Sequence, residues 1–86
     1  MKIIRINAIW CSGCLSMKKI WKEIEEEYPN LDIINLDYDM DEDEVMKYNP
    51  GDVLPIVILK NNEKEIRLIG EKTKEEIIES IKEINE

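Results

Sequence analysis

Cysteine occurs twice in this sequence, at Cys11 and Cys14, and histidine does not occur at all. The pair lies in the stretch Trp10-Cys11-Ser12-Gly13-Cys14. Two thiols so close support either reversible disulfide chemistry through a nucleophilic thiolate or metal ligation. A structural zinc site takes about four ligands, so two cysteines without histidine would make half a site or require borrowed carboxylates. A purely structural bridge closing so short a loop gains little chain entropy. Two inert thiols are the remaining reading.

What such a pair can do depends on the elements that hold it. Lys2–Ile9 is rich in β-branched residues and predicts a strand. From Ser12 onward Met17, Ile20, Trp21, Ile24 and Tyr28 recur at three- and four-residue spacing, one face of a helix whose other face carries Lys18, Lys22, Glu23 and Glu26. Pro29 disfavours helical geometry at Tyr28 and ends it there. Cys11 therefore falls at a strand-to-helix junction, with Cys14 inside the first turn. Backbone N–H groups and the helix dipole at that place favour a thiolate. Ser12 and Gly13 are small, so the sulfurs are expected to be open to a protein substrate.

Leu31–Tyr38 predicts a second strand, and Asp41–Tyr48 a short helix with Asp41 as cap and Glu44 three residues on. Asn49–Asp52 is a loop. Pro55–Leu59 is apolar on both faces, as a central covered strand requires. Glu65–Ile69 alternates apolar and charged residues, reads as an edge hairpin strand, and is closed by Gly70. A capping box, Thr73 with Glu76, opens a last helix through Ile84. The order is β-α-β-α-β-β-α: an α/β fold with a four-stranded mixed sheet and helices on both faces. Its first two strands are parallel across a right-handed helical crossover.

The chain has 86 residues and a formal net charge of −8, with twenty acids against twelve bases. That length predicts one domain, residues 1–86. The charge argues against nucleic acid and anionic membrane as partners, since both need clustered Lys and Arg. No membrane span or signal peptide is expected, so the predicted compartment is the cytoplasm, where a purely structural disulfide would not persist. A monomer is expected. Asp37–Tyr48 has the first acids of a calcium loop. It carries Glu42 where glycine belongs and Tyr48 where the closing glutamate belongs, so a solvated acidic run is the reading.

With these elements in place, the sequence resembles the thioredoxin family. The likeness rests on Trp-Cys-Ser-Gly-Cys at the junction, on Val53-Leu54-Pro55 opening the buried strand, and on Gly70 after the hairpin. It covers the whole chain as a minimal, glutaredoxin-sized form, without the extra N-terminal strand and helix of full thioredoxins. The resemblance implies that Cys11 is the attacking thiol, Cys14 the resolving thiol, and the two together a redox-active disulfide. It implies that Trp10 lies beside the site, that Pro55 is a cis-proline facing the cysteines, and that Leu54 offers backbone groups to an extended substrate. Thiol–disulfide exchange, most readily reduction of protein disulfides, is the implied activity. It needs no organic cofactor and no metal, only an upstream thiol reductase. The alternative is a copper-carrier module using the same two cysteines, whose Met-x-Cys-x-x-Cys pattern has Ile9 at the methionine position and whose fold ends in a strand.

The departures from the family's pattern bear on redox tuning. Ser12-Gly13 replaces the usual Gly-Pro, Lys19 stands where a kinking proline would, and Arg5 occupies the place of a buried aspartate. Gly70 is single where a glutaredoxin would use a glycine pair for glutathione. Arg5 shares one strand face with Ile3, Asn7 and Ile9, a face expected to lie under the helix Asp41–Tyr48. Either its stem lies on the sheet with the charge carried outward, or its guanidinium lies beneath the cysteines and tunes them.

Overall fold

Isoleucine dominates the strands, and its branched side chain packs well on a pleated surface. In the computed structural model, which describes residues 1–51 and 53–85, it builds four of them. They are β1 (Lys2–Asn7), β2 (Asp32–Asp37), β3 (Ile56–Lys60) and β4 (Glu65–Ile69). The sheet order is β2-β1-β3-β4. β1 runs parallel to β2, with Arg5 opposite Asn35 and Asn7 opposite Asp37. It runs antiparallel to β3, which forms the hairpin with β4. The sheet is mixed, as expected. Asp52, the end of the predicted loop, and Glu86, the end of the predicted domain, lie outside the described residues.

The helices are α1 (Ser12–Ser16), α2 (Lys18–Glu27), α3 (Glu42–Met46) and α4 (Lys74–Asn85). Alternation along β1 divides the core in two. Ile3 joins Trp21 and Ile24 of α2 and Ile77, Ile81 and Ile84 of α4 on one face. Ile4 and Ile6 join Val45 of α3 on the other. Each fully buried isoleucine contributes about 1.5–3 kcal/mol over an exposed one. The capping box on α4 is reciprocal: Glu76 N–H donates to Thr73 Oγ1 and Thr73 N–H to the Glu76 carboxylate, each at 3.1 Å.

Four expectations need correction. Strand β1 stops at Asn7, because the Ala8 carbonyl already accepts the Cys11 N–H at 3.2 Å in a turn. That turn leaves Ile9 exposed, outside the strand face. The single helix from Ser12 is broken at Met17 into α1 and α2. No proline is needed for the break: the Ser16 hydroxyl donates to the Ser12 carbonyl at 3.2 Å, a back-bond that bends helices.

Asp41 does not cap α3 with its side chain. Its carboxylate instead accepts the Asp37 N–H at 2.8 Å and holds the end of β2. Arg5 lies on the face covered by α2 and not under α3. There Trp21 offers a ring surface, with the guanidinium carbon 4.9 Å from the ring centroid.

Candidate active site

The end of β1 and the start of α1 bring the two cysteines together. Cys11 is the N-cap of α1 in extended backbone geometry, and its sulfur accepts the Cys14 N–H at 3.1 Å. The two sulfurs are joined in a disulfide, with the Cα atoms 5.3 Å apart. They pack with Ala8, and Tyr38 and Leu54 close over this small cluster. Both cysteines are buried, Cys11 at 6% and Cys14 at 8% exposure. The open site expected from small Ser12 and Gly13 is therefore not found in this oxidised form.

Gly13 explains part of that closure. A Cβ at position 13 would stand 3.3 Å from Pro55 Cδ and 3.0 Å from Glu71 Cγ. Leu54–Pro55 is a cis peptide bond, and Pro55 faces the cysteine turn. Gly70 fixes the opposite strand end there: it holds φ +84°, open to glycine, and donates its N–H to the Pro55 carbonyl at 2.8 Å. Ser12 is exposed on the same turn.

Trp10 lies beside the cysteines as expected, mostly exposed. Its indole N–H donates to the Asp39 carboxylate at 2.7 Å, and its ring meets Tyr38 edge to face at 6.0 Å between centroids. Asp39, Tyr38 and Glu71 were not found by sequence reasoning. No local pattern marks them, since they meet Trp10 and Gly13 across long stretches of chain.

Behind Cys14 is a cavity of about 430 Å³ between α1, α2 and the ends of β1 and β2, lined among others by Arg5, Asn7, Asn35, Asp37 and Lys18. Arg5 donates from Nε to Asn35 Oδ1 at 2.8 Å and pairs with Glu25 at 3.7 Å. Burial pushes its guanidinium below the ordinary value, and the Glu25 carboxylate opposes that shift. It stays protonated at neutral pH. Arg5 thus does not project into open solvent; it is held by Asn35, Glu25 and Trp21 and shares the wall of one cavity with Cys14. Among the described residues no three of Cys, His, Asp or Glu converge as a metal site.

These features define a class: a small α/β protein with a Cys-x-x-Cys disulfide at a strand-to-helix junction, faced by a cis-proline. A thioredoxin family model matches residues 1–83, and the chain belongs to the thioredoxin family. Thioredoxin H5 of Oryza sativa subsp. japonica is 26% identical over 68 residues, covering 79% of this chain and 50% of that protein. The chain thus spans about half the length of the curated relative it matches. Among solved structures, reduced Schistosoma mansoni thioredoxin pre-protein superposes with a TM-score of 0.83 at 24% identity, over 96% of this chain and 77% of that one. Thioredoxin NaTrxh from Nicotiana alata gives 0.85 at 24% identity, over 96% and 71%. A malarial protein gives 0.86 at 21% identity, over 96% and 94%. The fold is therefore that of thioredoxins. The copper-carrier module, a different architecture, does not fit a chain that superposes on thioredoxins over 96% of its length.

Proposed function

We propose that this protein is a thiol–disulfide oxidoreductase that reduces protein disulfides through Cys11 and Cys14. The observation that carries the reading is the disulfide itself, with Cys11 as N-cap and its sulfur accepting the Cys14 N–H. A donor aimed at that sulfur stabilises negative charge on it, so Cys11 is the thiolate of the reduced form.

The Cys11 thiolate attacks one sulfur of the substrate disulfide, whose S–S bond breaks. The other substrate sulfur leaves as a thiolate and takes a proton. Cys14 then loses its proton and attacks the Cys11 sulfur. The mixed disulfide breaks, the substrate departs as a dithiol, and the Cys11–Cys14 disulfide has taken up the oxidation. Two electrons pass to the substrate in one cycle. An upstream thiol reductase restores the dithiol, and no organic cofactor or metal is required.

The remaining roles follow from position. Trp10, Leu54 and Pro55 form the substrate-binding rim, with backbone beside Pro55 pairing to an extended substrate segment. Ser12 and Gly13 set the turn between the sulfurs, and Arg5 tunes Cys14 through their shared cavity. We assign the reaction to a monomer acting as one domain in the cytoplasm. No described helix is long and apolar enough to cross a membrane.

Turnover of insulin with dithiothreitol as reductant tests the reading. Acceleration over dithiothreitol alone is expected, and its loss in Cys11→Ser. No acceleration, together with tight Cu(I) binding by the two thiolates, would return the copper carrier as the better reading.

A further inference from the structure

Glu71 follows the glycine that ties β4 to Pro55. Gly70 turns at φ +84° and donates to the Pro55 carbonyl at 2.8 Å, so the next residue is delivered against the cysteine turn. Measured from the Cβ position of Gly13, Glu71 Cγ lies at 3.0 Å and its carboxyl carbon at 3.4 Å. The carboxylate therefore rests on the two-residue turn between Cys11 and Cys14, and it is exposed.

That charge is uncompensated. Among the described residues Glu71 takes part in no ion pair, and neither does its neighbour Lys72. Lys18 lines the cavity behind Cys14. The other charged side chain bound to a residue of the rim is also an acid: Asp39, which accepts the Trp10 indole N–H. A substrate segment reaching Cys11 beside Pro55 must pass the Glu71 carboxylate.

We propose that Glu71 is a specificity-determining residue that selects disulfides flanked by Lys or Arg. This rests on the exchange reaction proposed above. A basic side chain beside the substrate cysteine meets Glu71 at the rim, while an acidic one is repelled there. Exposed charge pairs of this kind correspond to about a two- to fivefold difference per charge. The preference weakens with salt, as the screening length falls from about 10 Å at 0.1 M to about 3 Å at 1 M.

The whole chain carries net negative charge, which steers cations generally. Glu63→Gln removes one unit of it from the β3–β4 turn, beyond the end of β3 opposite Pro55, and separates steering from local recognition. The experiment compares kcat/KM for three disulfide peptides, with cysteines flanked by Lys, Gln or Glu, at low ionic strength. The expected order is Lys above Gln above Glu. Glu71→Gln should lower the Lys-to-Gln peptide ratio about two- to fivefold and raise the Glu-to-Gln ratio. Glu71→Lys should reverse the order, and Glu63→Gln should leave it intact. Turnover of all three peptides at equal rates, or equal shifts in Glu71→Gln and Glu63→Gln, would overturn the proposal and leave the exchange reading standing. No turnover of any peptide would overturn both.

Discussion

The sulfur of Cys11 accepts the backbone N–H of Cys14 at 3.1 Å, and no such donor is aimed at the sulfur of Cys14 among the described residues. The two thiols of the reduced protein are therefore unequal. A hydrogen bond to a charged acceptor is worth about 1.5–3 kcal/mol, which is about tenfold or more in thiolate population.

Alkylation of the reduced protein should follow that asymmetry. Cys11 is expected to react with iodoacetamide about tenfold or more faster than Cys14 near neutral pH. Cys14→Ser should trap substrates as mixed disulfides on Cys11, and Cys11→Ser should trap none. Mass spectrometry of the labelled peptides measures the ratio, and equal rates would refute the assignment of roles.

Gly13 should tolerate alanine in stability but not in activity. Alanine inside α1 gains roughly 0.5–1 kcal/mol over glycine. Its Cβ would meet Glu71 Cγ at 3.0 Å and Pro55 Cδ at 3.3 Å. Glu71 is exposed and can swing aside, whereas Pro55 is buried and must shift by tenths of an ångström. We expect denaturation midpoints to move little. We expect kcat/KM to fall by about three- to tenfold, short of the roughly hundredfold that a full 1 Å misplacement costs. A Gly13→Ala variant that keeps both full stability and full activity would contradict the close approach.

Arg5 should act on the potential more than on the fold. Its guanidinium lies over Trp21, pairs with Glu25 at 3.7 Å and shares a cavity with Cys14. A positive charge there stabilises thiolate, and hence the reduced form. Arg5→Met keeps the apolar stem and removes the charge. The reduced form then loses support, so the potential becomes more negative. The shift should be on the order of 10–20 mV, because Glu25 offsets part of the charge and 30 mV corresponds to about 1.4 kcal/mol. Superimposable redox titrations of the two proteins would reduce Arg5 to a packing role.

Local rules made most of the frame readable. β4 begins and ends where alternation put it, at Glu65 and Ile69. Thr73 and Glu76 exchange the bonds their spacing implied. Cys11 caps α1, as its place at the junction implied, and the bond before Pro55 is cis, which the family resemblance and not a local rule implied. What escaped depends on tertiary approach. Alternation put Ile3 and Arg5 on one face but could not say which helix covers it; the cation's place over Trp21 is a contact between β1 and α2. Asp39 looked like a member of an acidic, solvated stretch, and Glu71 carried no local signal at all. Only the return of β2 beside Trp10, and the tie from Gly70 to Pro55, carries them to the disulfide.

The central claim is that Cys11 and Cys14 form a reversible two-electron couple, and equilibration against thiol–disulfide buffers tests it most directly. Trp10, next to Cys11, serves as the fluorescence probe. A single transition is expected, fitting a two-electron equation, with a midpoint between about −270 and about −120 mV, the span from thioredoxin to a strong dithiol oxidant. It should vanish in Cys14→Ser. Absence of a reversible disulfide in the wild type, or the same transition surviving in Cys14→Ser, would contradict the account.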